Sequence, residues 1–460
     1  MQRAMSDRNS ANPAVLKRTL GFAGVLGQSI AGESPTATPA LNIALVFAAV
    51  GSGTWLVFLI STLAILLVSL NIAPLARSGS AAGSLSDFVG RGLGETWRVI
   101  TGWILLLTYL STAVAVLSAC TGYLASLLGA LGVVLPQALL VGLAGAIASI
   151  LALRNVRVST GLMLGFELLS ITLVLLLCAA ILFRLGMAAD FSQLRLEGIT
   201  YKGISSTLLI GILSFAGFET AAVLGDEAKD PLRAIPRALF ATPILTGIFF
   251  VLSSYVIVLG FNHYSVNVAA TETPLDVLAE RLKRPGLGIL ISFGATISLF
   301  GCTIATLLAT SRIAFSLARK NALPSLLAVV SPRHFLPRNA MLLGVALVMA
   351  TAISFSAYAN PMDIYDWFGT FATFGFVTAY LLTCVSMPIV LARQGALRPT
   401  HVAASIAAII VLGYVLFTTV YPVPSAPLNI LPWLFLGLLG AGASASIWAR
   451  SRQSLKRSYG

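Results

Sequence analysis

The chain has 460 residues, of which 57% are hydrophobic and 10% charged, and its mean hydropathy is +0.93. Soluble domains carry roughly 25% charged residues, so these values exclude one and imply a polytopic membrane protein. The net charge of +13 raises nucleic acid as a partner, but of 29 basic residues only Arg184, Arg195, Lys202, Arg281, Lys283 and Arg284 fall on one face of the predicted topology, and the other 23 on the opposite face. That is the positive-inside pattern. It puts both termini in the cytoplasm, makes the bilayer the partner and sets nucleic acid aside.

Apolar runs near the roughly 20 residues that span a bilayer number about twelve, at 19–49, 54–76, 98–128, 135–153, 158–184, 204–226, 238–260, 287–318, 339–357, 363–391, 401–420 and 428–449. No cleavable signal peptide is expected, because the first run is too long for one. Its middle reads Gly27-Gln28-Ser29-Ile30-Ala31-Gly32-Glu33-Ser34-Pro35-Thr36. Glycines weaken a helix and Ser-Pro starts one, so two half-helices meeting at a non-helical joint are expected there. Span 6 is interrupted in the same way by Ser214, Gly217 and Glu219. Broken helices are tolerated in hydrocarbon only where protein or a wet cavity covers them, and they mark a candidate binding site.

Between spans 7 and 8, residues 274–282 read as a short surface helix with Thr273 as N-cap and Pro274 in its first turn. After span 6, Asp226, Glu227, Lys229, Asp230, Arg233 and Arg237 crowd a loop in which Asp230-Pro231 and Pro236 can start new helical turns. These charges are expected to serve as gate and membrane-edge anchors. Cys120, Cys178, Cys302 and Cys384 all sit in apolar runs, where thiols act as small apolar groups, so no disulfide is expected. His263, His334 and His401 are far apart, and no metal-ligand spacing appears.

Three stretches carry a resemblance. Gly217-Phe218-Glu219 followed by DEAKDPLRAIPRA, the segment Ala73 to Trp103, and the segment Ala309 to Ala340 with Arg312, Arg319, Pro324 and Pro337 stand in the order found in the amino acid–polyamine–organocation (APC) transporter superfamily. The chain resembles its bacterial amino acid permeases. The resemblance implies an all-α fold, one transporter domain over 1–460, with inverted repeats at 19–184 and 204–391 and two peripheral helices within 401–449. It also implies a secondary active transporter of amino acids in the bacterial cytoplasmic (inner) membrane, working by alternating access. A carrier of polyamines or small organic amines on the same fold is the alternative.

The site residues follow from the two breaks. Free amides at Ala31, Gly32 and their neighbours, read as the start of the second half-helix, suit a carboxylate. In the family this turn holds the substrate carboxylate, and Ser29 to Gly32 match it in position without the fuller G-S-G pattern. Gln28, Ser29, Ile30, Ala31, Gly32 and Glu33 are therefore candidate substrate residues, and Glu33 either caps its own helix or faces the cavity. Span 6 adds Phe215, Ala216, Gly217 and Phe218, and the carbonyls freed at the end of its outer half-helix suit an ammonium group; span 3 adds Tyr109, with Ser111 a similar candidate.

Glu219 and Glu167 are acids deep in spans 6 and 5, and a mid-membrane carboxylate costs about 2.5 to 3.5 kcal/mol on insertion scales. Both are candidate proton-coupling groups, with interhelical hydrogen bonding the alternative for Glu167. Some proton-driven relatives hold a lysine on span 5; residues 158–183 contain none. Ser298, Cys302 and Thr306, four residues apart on span 8, line either a cavity or cation site or a packing seam. The coupling ion expected is a proton, in symport. No cofactor is implied, and no obligate partner subunit, since no outward loop carries a cysteine. The chain has no G-x-x-x-x-G-K-[ST] loop and no H-E-x-x-H motif, so neither nucleotide hydrolysis nor an intramembrane zinc protease is expected, and the chain is not read as an enzyme.

Overall fold

A computed structural model describes residues 20–77, 84–153, 156–186, 191–196, 199–226, 228–268, 271, 273–329 and 337–458, without the side chains of 156–163, 192, 223, 225–226 and 447–458. Arg3, Arg8, Lys17, Arg18, Arg154, Glu227, Arg333 and His334, which entered the topology reading or the loop reading, lie outside these residues.

Hydrocarbon supplies no hydrogen-bond partner for a backbone, so an apolar run satisfies itself as a helix. The first run gives α1 (Phe22–Glu33), a π-helical stretch Thr38–Asn42 and α2 (Ile43–Val50). Then come α3 (Thr54–Arg77), the short α4 (Leu85–Leu93), α5 (Glu95–Ala130), α6 (Gln137–Ala152), α7 (Val156–Leu185) and α8 (Phe191–Arg195). The second half holds α9 (Tyr201–Leu213), a 3-10 stretch Phe218–Asp226, α10 (Pro231–Tyr264), α11 (Pro274–Arg281), α12 (Pro285–Arg319) and α13 (Arg338–Phe355). It closes with α14 (Pro361–Arg393), α15 (Pro399–Val420) and α16 (Leu431–Ser458).

Among the described residues ten segments are long and apolar enough to cross a membrane. The first, Phe22–Arg77, contains predicted spans 1 and 2, and predicted span 4 is the shorter Gln137–Ala152. Pro236 does not start a turn; it lies inside α10, which Pro231 opens. Thr273 precedes α11 as expected, but its side chain makes no capping bond.

The long helices α5, α12 and α14 pack along one another, as do α3 with α10 and α7 with α12. Lipid tails are as apolar as leucine, so such contacts depend on close approach and on interhelical hydrogen bonds. At the α5–α14 crossing a Cβ on Gly375 would lie 1.8 Å from Thr108 Oγ1, so no larger residue fits. Thr108 and Thr373 donate to the carbonyls four residues earlier, each at 2.7 Å, which satisfies their hydroxyls in an apolar core. Leu63, Phe183 and Ile410 stand exposed on the outside, where lipid would cover them.

One ionic cluster ties loops to helices on the face predicted to be cytoplasmic. Ser84 and Asp87 form a capping box on α4. Asp87 accepts from the Arg98 guanidinium, through Nε at 2.7 Å and through Nη2, and from Lys320 Nζ at 3.2 Å. Burial raises the Asp87 pKa, but Lys320 and Arg98 outweigh it and hold the carboxyl below its ordinary value. A carboxylate depressed in the folded state contributes stability above its unfolded value, near pH 4, and loses it as pH falls through the folded value. Asp87→Asn should therefore lower the thermal midpoint of the purified protein at pH 7 by the equivalent of about 1–3 kcal/mol. The difference from wild type should shrink as pH falls below about 4. Equal midpoints at neutral pH would show that the cluster is only a solvated surface pair.

Candidate functional site

The first break lies later than the sequence suggests. Ala31, Gly32 and Glu33 form the last turn of α1, not the start of a second half-helix. Ser34 ends the helix in a left-handed conformation, φ 52°, donating its N–H to Ile30 O at 3.1 Å. Pro35, which has no N–H, follows. The amides of Ala37, Thr38 and Ala40 turn back onto Ser34, Pro35 and Thr36. The exposed N-terminal amide at this joint is thus that of Thr36, and a carboxylate already holds it: Thr36 N donates to Glu167 Oε1 at 2.8 Å, and Thr36 Oγ1 to the same oxygen at 2.6 Å. Ser298 Oγ donates to Glu167 Oε2 at 2.5 Å and lies 2.8 Å from Ser34 Oγ.

The second break repeats this chemistry. α9 stops at Leu213, and the carbonyls expected to be free are not: Ile212 O and Leu213 O accept from Phe215 N and Ala216 N. Gly217 then adopts φ +109°, and a Cβ there would meet Gly32 O at 2.4 Å. Only glycine allows both the conformation and the contact, so the two breaks touch at Gly32 and Gly217. Gly217 N donates to Glu219 Oε2 at 3.1 Å. Tyr380 OH donates to the same oxygen at 2.9 Å, and Tyr109 OH to Oε1 at 2.7 Å. Ser29 Oγ closes the crossing by donating to Phe218 O at 2.7 Å.

Between the breaks lies a cavity of about 40 Å³, room for a few waters. Of the predicted site residues, Gly32, Glu33, Tyr109, Ala216, Gly217, Cys302 and Thr306 line it. Gln28, Ser29, Ile30, Ala31, Phe215, Phe218 and Ser298 do not line it. Phe215 and Phe218 are fully buried core rings, edge-on to Phe250 and tilted against Tyr380 respectively, which is why neither faces the cavity. Glu33 does not cap its own helix. Its Oε1 accepts from Thr246 Oγ1 at 3.0 Å, and its Oε2 is buried without a hydrogen-bond partner. Thr246 has a second acceptor in reach, Thr242 O at 2.9 Å, and only one proton to give. Glu33 is thus the least satisfied of the three buried acids, and no lysine, arginine or histidine lines the cavity.

Sequence reasoning missed Thr36, Thr246 and Tyr380, each of which donates to one of the three carboxylates. It also missed a clasp on one side of the cavity, where Asn42 Nδ2 donates to Ser214 Oγ at 2.8 Å and Tyr365 OH donates to Asn42 Oδ1 at 2.9 Å. Asn42, an amide side chain inside an apolar span, was the one available signal among them.

A family model described as "Amino acid permease" matches residues 24–431. The branched-chain amino acid permease BcaP of Bacillus subtilis is 25% identical over 304 residues, 62% of this chain and 64% of its own length. The methylthioribose transporter of Bacillus subtilis is 25% identical over 365 residues, 75% of each chain. The L-methionine/branched-chain amino acid exporter YjeH of Escherichia coli is 26% identical over 418 residues, 88% of this chain and 94% of its own length.

Proposed function

The chain belongs to the amino acid permease family, and from that premise we propose that it is a proton-coupled symporter of amino acids that works by alternating access around the two breaks. On this reading the spans form two five-helix inverted repeats with α15 and α16 peripheral, and the termini face the cytoplasm. The observation that carries it is the Gly217 amide, which borders the cavity and is held by a carboxylate of the chain itself.

A proton arriving at Glu219 turns one oxygen into a donor, which reverses the bond to Tyr109, and leaves a neutral carbonyl that holds Gly217 N and Tyr380 more weakly than the carboxylate did. The loosened amide can then be drawn to the substrate's carboxylate, a stronger acceptor than the neutral acid, while the substrate's ammonium group meets Glu33 Oε2. Proton and amino acid thus favour each other's binding, which is the thermodynamic content of symport. Glu167 acts in parallel: a proton there loosens Thr36 and Ser298, and with them the joint between α1 and α2. The cavity is too small for an amino acid as it stands, so binding has to part α1, α9 and α14.

Glu219→Gln tests this directly. The glutamine carbonyl can still accept from Gly217 N and Tyr380, and its NH2 can donate to the Tyr109 oxygen, so the fold should survive without a titrating group. Proteoliposomes containing the variant should exchange substrate at close to the wild-type rate but fail to accumulate it on a proton gradient. Wild-type accumulation by the variant would make Glu219 structural.

A second reading, a carrier of polyamines or other organic amines, is favoured by one observation: the break amides of Thr36 and Gly217 are both occupied, whereas the Glu33 acceptor is not. Glu33→Gln separates the two readings. A carrier of amino acids should lose roughly tenfold to a hundredfold in affinity, as expected for losing one charge-assisted bond of about 1.5–3 kcal/mol, and should bind simple amines weakly before and after. Tight amine binding by wild type, lost in the variant while amino acid binding is unchanged, would favour the second reading.

A further inference from the structure

The helix α11 lies outside the spans, on the face predicted to be external, and packs against α12, α10 and the π-helical stretch Thr38–Asn42. It therefore covers the segment that follows the first break. Its seat is apolar: Leu275, Leu278 and Ala279 are fully buried, and Leu278 lies over Gly260 where a Cβ would come within 2.9 Å. Asp276 is the polar exception in that seat. Its Oδ2 accepts from Ser126 Oγ of α5 at 3.3 Å and from Ser292 Oγ of α12, while Oδ1 is buried without a hydrogen bond of good geometry, the Thr273 hydroxyl lying near the carboxyl.

We propose that α11 is an outer lid and that its closure takes up a proton from the external side at Asp276. The inference rests on the reading of the chain as a carrier with two-sided access, but not on Glu219 or Glu167 as coupling groups. With the lid seated, an ionised Asp276 leaves one buried oxygen unpaired, and burying an unpaired charge is costly. With the lid lifted, water solvates both oxygens and the penalty disappears. The proton is therefore held more tightly in the closed state, and by linkage protonation favours closure.

The surroundings agree in sign. Burial pushes the Asp276 carboxyl above its ordinary value; the hydroxyls of Ser292, Thr273 and Ser126 offset part of that, and Glu280 adds to it. Tyr123 of α5 is in electrostatic contact with it. Glu280, Arg281, Lys283 and Arg284 are exposed on α11 and the turn after it, the outer end of α10 carries His263 and Tyr264, and Thr38–Asn42 has no titratable side chain. Closure is then favoured fully below the open-state value, near pH 4, and the advantage fades as pH rises through the higher closed-state value.

Hydrogen exchange of the α11 amides in the full-length protein, without substrate and corrected for intrinsic rates, reads the lid alone. Wild type should show severalfold higher protection at pH 5 than at pH 8, with amides of the α5 core unchanged. Asp276→Asn, which keeps a carbonyl for the serines and cannot ionise, should hold the high protection at both values. Wild-type protection that does not vary with pH overturns the proposal, as does an Asp276→Asn variant that keeps the wild-type pH dependence. Should the variant not fold, the wild-type profile decides by itself. Because no transport is measured, failure here leaves the symport reading standing, and failure of proton-driven uptake leaves this proposal standing.

Discussion

A backbone amide inside hydrocarbon has to be paired, and at both helix breaks of this protein the partner is a carboxylate from its own chain. Glu167 holds Thr36 N at the first break and Glu219 holds Gly217 N at the second. The rest of the core is arranged to keep those acids supplied with donors. Ser298 of α12, Tyr109 of α5 and Tyr380 of α14 each give a hydroxyl to one of them. Each of these helices thus reaches a break through the acid it satisfies, and on the proposed reading a proton taken up there acts on helix position. Removing a donor would leave a buried charge less paired, which is costly in a low-dielectric interior.

The two breaks are locked to each other by contact as well as by charge. Gly217 sits against Gly32 O, and Ser29 reaches Phe218 O. A shift at one break is therefore felt at the other within a single contact. The cavity between them is narrow, because Tyr109 and Phe376 meet edge to ring, at 5.5 Å between centroids, and the Asn42–Ser214–Tyr365 clasp draws three segments together. Among the described side chains that line this space, Glu33 alone has a buried oxygen without a hydrogen-bond partner. In a cavity without a basic residue that acceptor, on the proposed reading, is what a substrate's ammonium group would meet.

Much of this was legible in the sequence, for local reasons. Glycine, serine and proline inside an apolar run have few roles besides interrupting it, so the breaks near 34 and 217 announced themselves, and with only 16 acids in the whole chain Glu33, Glu167 and Glu219 stand out inside apolar spans. What could not be read is what depends on distant pairing. Thr36 finds Glu167, Thr246 finds Glu33 and Tyr380 finds Glu219 across 131, 213 and 161 positions, and hydroxyl residues are scattered too widely through membrane helices to single these out. The assignment of Ala31 and Gly32 to the wrong side of the joint has a simple cause. Ser-Pro marks a helix start, but here Ser34 first ends α1 in a left-handed turn, so the amides in question belong to the helix that stops. Phe215 and Phe218 flank the second break in sequence and so count as candidate substrate residues, but neither ring lines the cavity, and each packs in the core, on Phe250 and Tyr380 respectively.

The account depends on a proton, not a sodium ion, releasing the carboxylate at the second break. The most direct measurement is uptake by the purified protein in sodium-free liposomes, with an imposed inward proton gradient and leucine as probe, the class of substrate for which two of its relatives are named. The account predicts accumulation above the external concentration, accompanied by acidification of the lumen and abolished by a protonophore. Accumulation that needs a sodium gradient and ignores the proton gradient would contradict it.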